Sequence, residues 1–203
     1  SPDPYLALTL AAQATTSLKL GTGATNPVTR HSAVTANLAV ALQELTAGRM
    51  VLGIARGDSA LFNIGQTPAS LEIFKKYIKE LQDYLNSKTF ELNGYPSQIR
   101  WLPQCTQPKV PIDIIGTGPK ILAFAAKNAE LVTLAVGADL KRLKWAVNHI
   151  HDNCQSTRPR IGAYINICVC DDHTIGAEMV RSGVGTFAHF SGMQGALDKT
   201  PTT

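Results

Sequence analysis

Three stretches of the chain gather residue types from which a site for a flat, anionic ligand could be built. In GTGATNPVTRH (residues 21–31) the glycines allow close backbone approach, and Thr25 and Asn26 offer hydrogen bonds to the edge of a heterocycle. The same residues also suit a plain glycine-rich corner with Asn26-Pro27 as turn chemistry. In GIARGDSALFNIG (53–65), Arg56 and Asp58 emerge together just past an apolar run. Arg56 suits a phosphate, and Asp58 suits proton donation or acceptance from a ring N–H. The plain alternative is a surface ion pair, with Asp58-Ser59 capping a turn. In IIGTGPKIL (114–122), the segment Gly116, Thr117, Gly118, Pro119, Lys120 reads as an anion site, where free N–H groups and a helix dipole face a phosphate. The alternative there is a tight turn. The position of the third glycine of a dinucleotide fingerprint holds Ile121, and no Walker A loop is present.

Weaker signals surround these. Gly137 ends the apolar run LVTLAVG and suits close passage of a ligand or of backbone. His149, His151 and Cys154 look metal-like, but their helical offsets of two, three and five do not bring all three to one face. Cys168 and Cys170 alternate on an expected strand and are expected as buried core thiols. Asp171-Asp172-His173 is expected to cap the following helix. No G-x-S-x-G nucleophile elbow occurs.

The elements that must position these residues alternate. Asp3-Pro4 reads as an N-cap and first helical residue opening YLALTLAAQAT. The short run LKLGT follows, then the helix SAVTANLAVALQELTAG with Gly48 as its C-terminal cap, then the buried strand MVLGIA. SLEIFKKYIKELQDYLNS is amphipathic, with Leu71, Phe74, Ile78, Leu81 and Leu85 on one face. The turn-rich stretch after it, with Asn93-Gly94, is expected to hold a small hairpin and a covering loop. Regular alternation resumes with PIDIIG, PKILAFAAKNAE, LVTLAVG, DLKRLKWAVNHIHDN, RIGAYINICVC and TIGAEMVRSGVGTFAHF. The alternation predicts an α/β fold with a five-strand parallel sheet, whether an open doubly wound sheet or part of an eight-stranded barrel. In either, functional groups lie at the C-terminal strand ends, where the three stretches fall. One domain over 1–203 is expected, with an excursion at about 59–110.

At 203 residues, with 44% hydrophobic and 17% charged residues, the composition is globular. The net charge of +4 lacks the clustered basic stripe of a nucleic-acid binder. SPDPY has neither the basic nor the apolar segment of a signal peptide, and the most apolar stretch is broken by Lys127, Asn128 and Glu130, so neither a signal peptide nor membrane association is expected. Four cysteines do not suggest a disulfide scaffold, and the expected setting is the reducing cytoplasm.

Taken in order, TNPVTRHSAV, ELTAGRMVLGIARGDSA and PIDIIGTGPK resemble the bacterial luciferase-like superfamily, and within it the methylenetetrahydromethanopterin reductase-like oxidoreductases that use coenzyme F420. The resemblance implies a (βα)8 TIM-barrel type fold, of which this chain would supply the third to seventh strands as a fragment or truncated member. It implies a non-prolyl cis peptide at Gly23–Ala24 beneath the deazaflavin ring, with Thr25 and Asn26 bordering it. It also implies an acidic position at Asp58 near the ring's N1 and carbonyl edge, and a phosphate-binding turn at Gly116–Lys120. The implied reaction is hydride transfer at C5 of the deazaflavin to or from a small carbon substrate, in a homodimer. Pocket-lining residues are expected between Phe62 and Trp101. FMN-dependent monooxygenase activity, or flavin binding without turnover, is the alternative.

Overall fold

The first helix begins where its sequence says it should. The Asp3 carboxylate accepts from the N–H groups of Tyr5 (2.9 Å) and Leu6 (3.4 Å), and Pro4 opens helix α1 (Pro4–Ala14). The structure, a computed structural model, describes residues 3–155 and 157–192, which fall into two units, Ser1–Asp113 and Ile114–Thr203.

In the first unit, α1 is followed by β1 (Leu20–Gly21), α2 (Ser32–Leu45), β2 (Met50–Ile54), the short α3 (Ser59–Phe62) and α4 (Leu71–Leu85). β1 runs parallel to β2, pairing Leu20 with Met50 and Gly21 with Val51. Leu52 N–H donates to Pro111 O (2.9 Å), which sets the start of β5 (Ile112–Gly116) beside β2 and gives the order β1-β2-β5. Met50, Leu52 and Ile54 of β2 are fully buried, as the unbroken apolar run requires. α2 buries its small residues Ala36 and Ala39, and α4 buries Phe74, Ile78 and Leu81 from its apolar face. Between these helices Thr35 and Tyr77 share a 2.7 Å hydrogen bond, and the Tyr77 hydroxyl donates to Arg30 O (3.0 Å).

The expected hairpin is present: β3 (Phe90–Leu92) and β4 (Tyr95–Ser97) pair antiparallel around Asn93 and Gly94, both at positive φ. The end of α2 differs in detail from the expected cap. Thr46 is the C-cap, Ala47 (φ 50°) takes the left-handed conformation ahead of Gly48 (φ 87°), and Gly48 N–H returns to Gln43 O at 2.9 Å. Arg49 then fastens this turn to the end of α1. Its guanidinium donates to Thr46 O (2.9 Å), Leu18 O (2.5 Å), Thr15 Oγ1 (3.1 Å) and Thr15 O (2.8 Å).

The second unit takes up β5 at Ile114 and continues with α5 (Pro119–Asn128), β6 (Leu131–Leu134), α6 (Leu140–Asn153), β7 (Arg160–Ala163) and α7 (His173–Gly192), in the order β5-β6-β7. β6 and β7 are parallel, pairing Leu131 with Arg160 through to Leu134 with Ala163. Asp139 caps α6 through Arg142 N–H (2.7 Å), and Asp172 caps α7 through Thr174 N–H (2.7 Å) and Ile175 N–H (3.2 Å). The last strand is shorter than RIGAYINICVC suggests. β6 ends at Leu134, whose carbonyl takes the Tyr164 N–H at 3.0 Å, so the ladder stops there. Beyond it Ile165, Ile167 and Val169 are exposed, Val169 at 96%. Cys168 and Cys170 are therefore not core thiols: the first is half-exposed and the second exposed. Among the described residues no group of His, Cys, Asp or Glu is placed to hold a metal, and no helix is long and apolar enough to cross a membrane.

Replacing the Arg49 guanidinium removes five hydrogen bonds at once, the four to Thr46, Leu18 and Thr15 and a longer one to Ala12 O (3.4 Å). Arg49→Ala is expected to lower the unfolding free energy by about 1.5–3 kcal/mol in a urea titration. Burial is the main reason that the Tyr77 phenol is pushed up from 10.0 to about 12, against the lowering effect of Thr35. Its contribution is intact below pH 10 and is lost as the pH rises toward about 12, because the unfolded chain ionises first. Tyr77→Phe is expected to flatten that alkaline loss, read as thermal midpoints between pH 8 and 11.

Candidate functional site

In the first unit the chain beyond β1 stays beside β2 after regular pairing stops. Thr22 Oγ1 donates to Gly53 O (2.6 Å), and the peptide bond between Gly23 and Ala24 is cis, at the position the resemblance implies. Thr25 then forms an isolated parallel bridge with Ile54: its N–H donates to Gly53 O and its carbonyl accepts from Ala55 N–H, both at 3.0 Å. Asn26 follows, buried. Its Oδ1 accepts from the N–H groups of Val28 and Thr29 (3.0 Å each) and from Thr29 Oγ1 (3.3 Å). Asn26-Pro27 therefore does serve the turn. With its oxygen engaged, the Asn26 carboxamide has its NH2 donors left for a ligand.

The end of β2 meets this corner. Arg56 and Ala69 exchange bonds, Arg56 Nε to Ala69 O at 2.5 Å and Ala69 N–H to Arg56 O at 3.0 Å. This orients the guanidinium and leaves its terminal nitrogens to meet an anion. The Asp58 carbonyl accepts from the N–H groups of Leu61 and Phe62 (3.0 Å each), which starts α3 and half-buries Asp58. Gly57 stands between the two charged residues at φ +90°. A Cβ there would lie 2.5 Å from Leu61 Cδ1 and 3.1 Å from the Asn26 Cβ, so only glycine lets Asn26 close on the Arg56–Asp58 corner. Gly57 is not among the residues that the sequence singles out; its one available signal is a glycine between two charges at a strand end.

In the second unit Gly116 is buried at the end of β5, and a Cβ would meet Ile121 Cγ2 at 2.7 Å. Its absence lets the first turn of α5 fold back onto the strand. Ala135 N–H donates to Gly116 O (3.0 Å) and Thr117 Oγ1 to Ala135 O (3.3 Å). Gly118 caps α5 with no side-chain acceptor and Pro119 occupies the first position, so the next N–H groups, of Lys120 and Ile121, have no side-chain cap. Lys120 is exposed. Gly137 (φ +76°) backs onto Phe187 of α7, with 3.5 Å between the place of a Cβ and the Phe187 Cβ. His149 is held by Pro119 O at 2.9 Å, which is the partner that the helical offsets could not supply.

A cavity of about 290 Å³ lies elsewhere in the first unit, lined by Val40, Gln43, Leu85, Leu102 and Pro108. Gln43 bonds Met50 N–H and Pro108 O, which places the cavity at the start of β2 and beside the segment leading into β5.

The family model described as "luciferase-like monooxygenase" matches residues 1–198. A 5,10-methylenetetrahydromethanopterin reductase from Methanolobus tindarius is 33% identical over 135 residues, 65% of this chain and 41% of that one. The chain therefore matches about two fifths of the length of this relative. The solved coenzyme F420 dependent tetrahydromethanopterin reductase from Methanopyrus kandleri superposes with a TM-score of 0.62 and 20% identity, covering 97% of this chain and 72% of that one. An F420-dependent secondary alcohol dehydrogenase, solved with an F420-acetone adduct, gives 0.71 at 17% identity, covering 93% and 62%. The two superpositions show the fold: α/β, a partial luciferase-like TIM barrel contributing five parallel strands. With nearly its whole length matched by the family model, the chain belongs to the luciferase-like monooxygenase family.

Proposed function

We propose that the chain is an oxidoreductase that moves a hydride between coenzyme F420 and a small carbon substrate. The observation that carries this reading is the corner at which Gly57 lets Asn26 close on Arg56 and Asp58. The relatives support the cofactor, since one is named a methylenetetrahydromethanopterin reductase and two solved structures are named F420-dependent enzymes. The donor set fits a deazaflavin. A ring edge rich in carbonyls needs hydrogen-bond donors, which the Asn26 amide supplies, and a phosphate needs the uncapped N–H groups of Lys120 and Ile121.

When bound, the deazaflavin supplies the carbon that takes or gives the hydride. In the first unit Gly23, Ala24 and Thr25 form the backbone surface against which the ring would lie, and Asn26 would fix its edge. Asp58 is the catalytic residue in this reading: its carboxyl holds the proton that balances charge at the ring's N1 and carbonyl edge. Arg56, already oriented by Ala69, would meet the anionic portion of the ligand. In the second unit Gly116, Thr117, Gly118, Pro119 and Lys120 would hold the phosphate, with Gly137 giving room for the ligand to pass. Residues between Phe62 and Trp101 would line the substrate pocket, where Phe62 and Ile64 are exposed. The same reading carries a homodimer in the cytoplasm. A second reading, an FMN-dependent monooxygenase, is supported by the description of the matched family as monooxygenases; a flavin binder without turnover is the other alternative.

Titrating the purified chain with coenzyme F420 and with FMN, followed by difference absorbance, separates the F420 reading from the FMN reading. Saturable binding of F420 at concentrations where FMN does not bind is expected; preferential binding of FMN overturns the F420 reading. In the complete protein, Asp58→Ala is expected to lower kcat by about a hundredfold while cofactor affinity stays within about threefold. An unchanged kcat removes Asp58 from the mechanism.

A further inference from the structure

The first turn of α5 lacks the side-chain cap that normally stiffens a helix start. Gly118 has no acceptor to offer and Pro119 no N–H to donate. The anchor comes instead from the next helix, α6. His149 on α6 reaches back 30 residues, and its Nε2 lies 2.9 Å from Pro119 O. A proline carbonyl only accepts, so the hydrogen bond requires the proton on Nε2 and fixes the ring's role as donor. The ring is itself held flat against Trp145, with centroids 5.5 Å apart and planes 19° from parallel. The His149 backbone is tied at the other side, where Asn153 Nδ2 donates to its carbonyl at 2.9 Å. The start of α6 is fixed by the Asp139 cap. A stacked, singly oriented donor thus grips the residue just before the two uncapped N–H groups at the start of α5.

We propose that His149 is a positioning residue for phosphate recognition: by holding Pro119 O it aims the Lys120 and Ile121 N–H groups, and the Lys120 side chain, at the phosphate ester of the cofactor. The inference rests on the reading of Gly116–Lys120 as the phosphate-binding turn. It adds a residue 29 positions further along the chain than Lys120, on a helix with no other part in the site. The chemistry recognised is a ribityl phosphate, which a deazaflavin and FMN share.

The test compares two ligand pairs: FMN against riboflavin, which differ only at this group, and coenzyme F420 against its ribityl deazaflavin, which lacks the phosphate and the tail beyond it. Equilibrium dissociation constants are measured for the full chain and for His149→Gln, which retains a donor, and His149→Phe, which retains an aromatic ring but no donor. The wild-type chain is expected to prefer the phosphorylated member of whichever pair it binds. His149→Phe is expected to lose roughly tenfold of that preference, and His149→Gln to keep most of it, while affinity for the phosphate-free ring stays the same in both variants. A preference unchanged in His149→Phe overturns the role of His149 and leaves the phosphate turn standing. Equal losses for phosphorylated and phosphate-free ligands show a merely structural residue and overturn it as well. No preference in the wild-type chain overturns the phosphate turn itself, and the inference with it.

Discussion

Thr25 exchanges two backbone hydrogen bonds with the end of β2, and much of the first unit's candidate chemistry depends on that exchange. The donation to Gly53 O and the acceptance from Ala55 N–H, both at 3.0 Å, extend parallel pairing past the two residues of β1. They fix the register in which Asn26 arrives beside Gly57, Arg56 and Asp58. Because side chains alternate along extended backbone, a slip of one residue would turn Asn26 away from the corner and bring Thr25 or Pro27 in its place. Arg49 and Gln43 secure the other end of the same strand, where Gln43 Oε1 accepts from Met50 N–H at 2.9 Å. β2 is thus held at its start by side chains and at its finish by the neighbouring backbone.

Glycine does comparable work in both units, by what a side chain there would strike. At Gly57 the obstacle is Leu61 and Asn26; at Gly116 it is Ile121. In each case the missing Cβ brings the first turn of a following helix back onto the strand end. The result in each unit is a corner of backbone donors and a few fixed side chains, not a wall of side chains. Such a surface suits a planar ring and a phosphate, both of which need close approach more than enclosure.

Much of this was legible from local pattern. The apolar runs located the parallel strands, Asp3, Asp139 and Asp172 cap helices as their types suggest, and Asn93-Gly94 makes its hairpin. What local pattern could not carry was partnership across the chain. The alternating apolar residues from Tyr164 to Cys170 look like a buried strand, but the ladder ends with β6 at Leu134. Gly57 is ordinary in sequence, and part of its constraint comes from Asn26, 31 positions earlier, beside the nearer Leu61. His149 offered only helical offsets, which spoke against a metal and said nothing of Pro119.

The proposed function assigns the cofactor to strand-end corners, at residues 23–26 and 56–58 in the first unit and 116–120 in the second, and not to the cavity beside Gln43. The most direct measurement is a titration of the isotope-labelled chain with coenzyme F420, read as backbone amide chemical shifts. The account predicts that the largest changes fall at Thr25, Asn26, Gly57, Asp58, Thr117, Gly118 and Lys120. Changes concentrated instead at Val40, Gln43, Leu85 and Leu102 would contradict it.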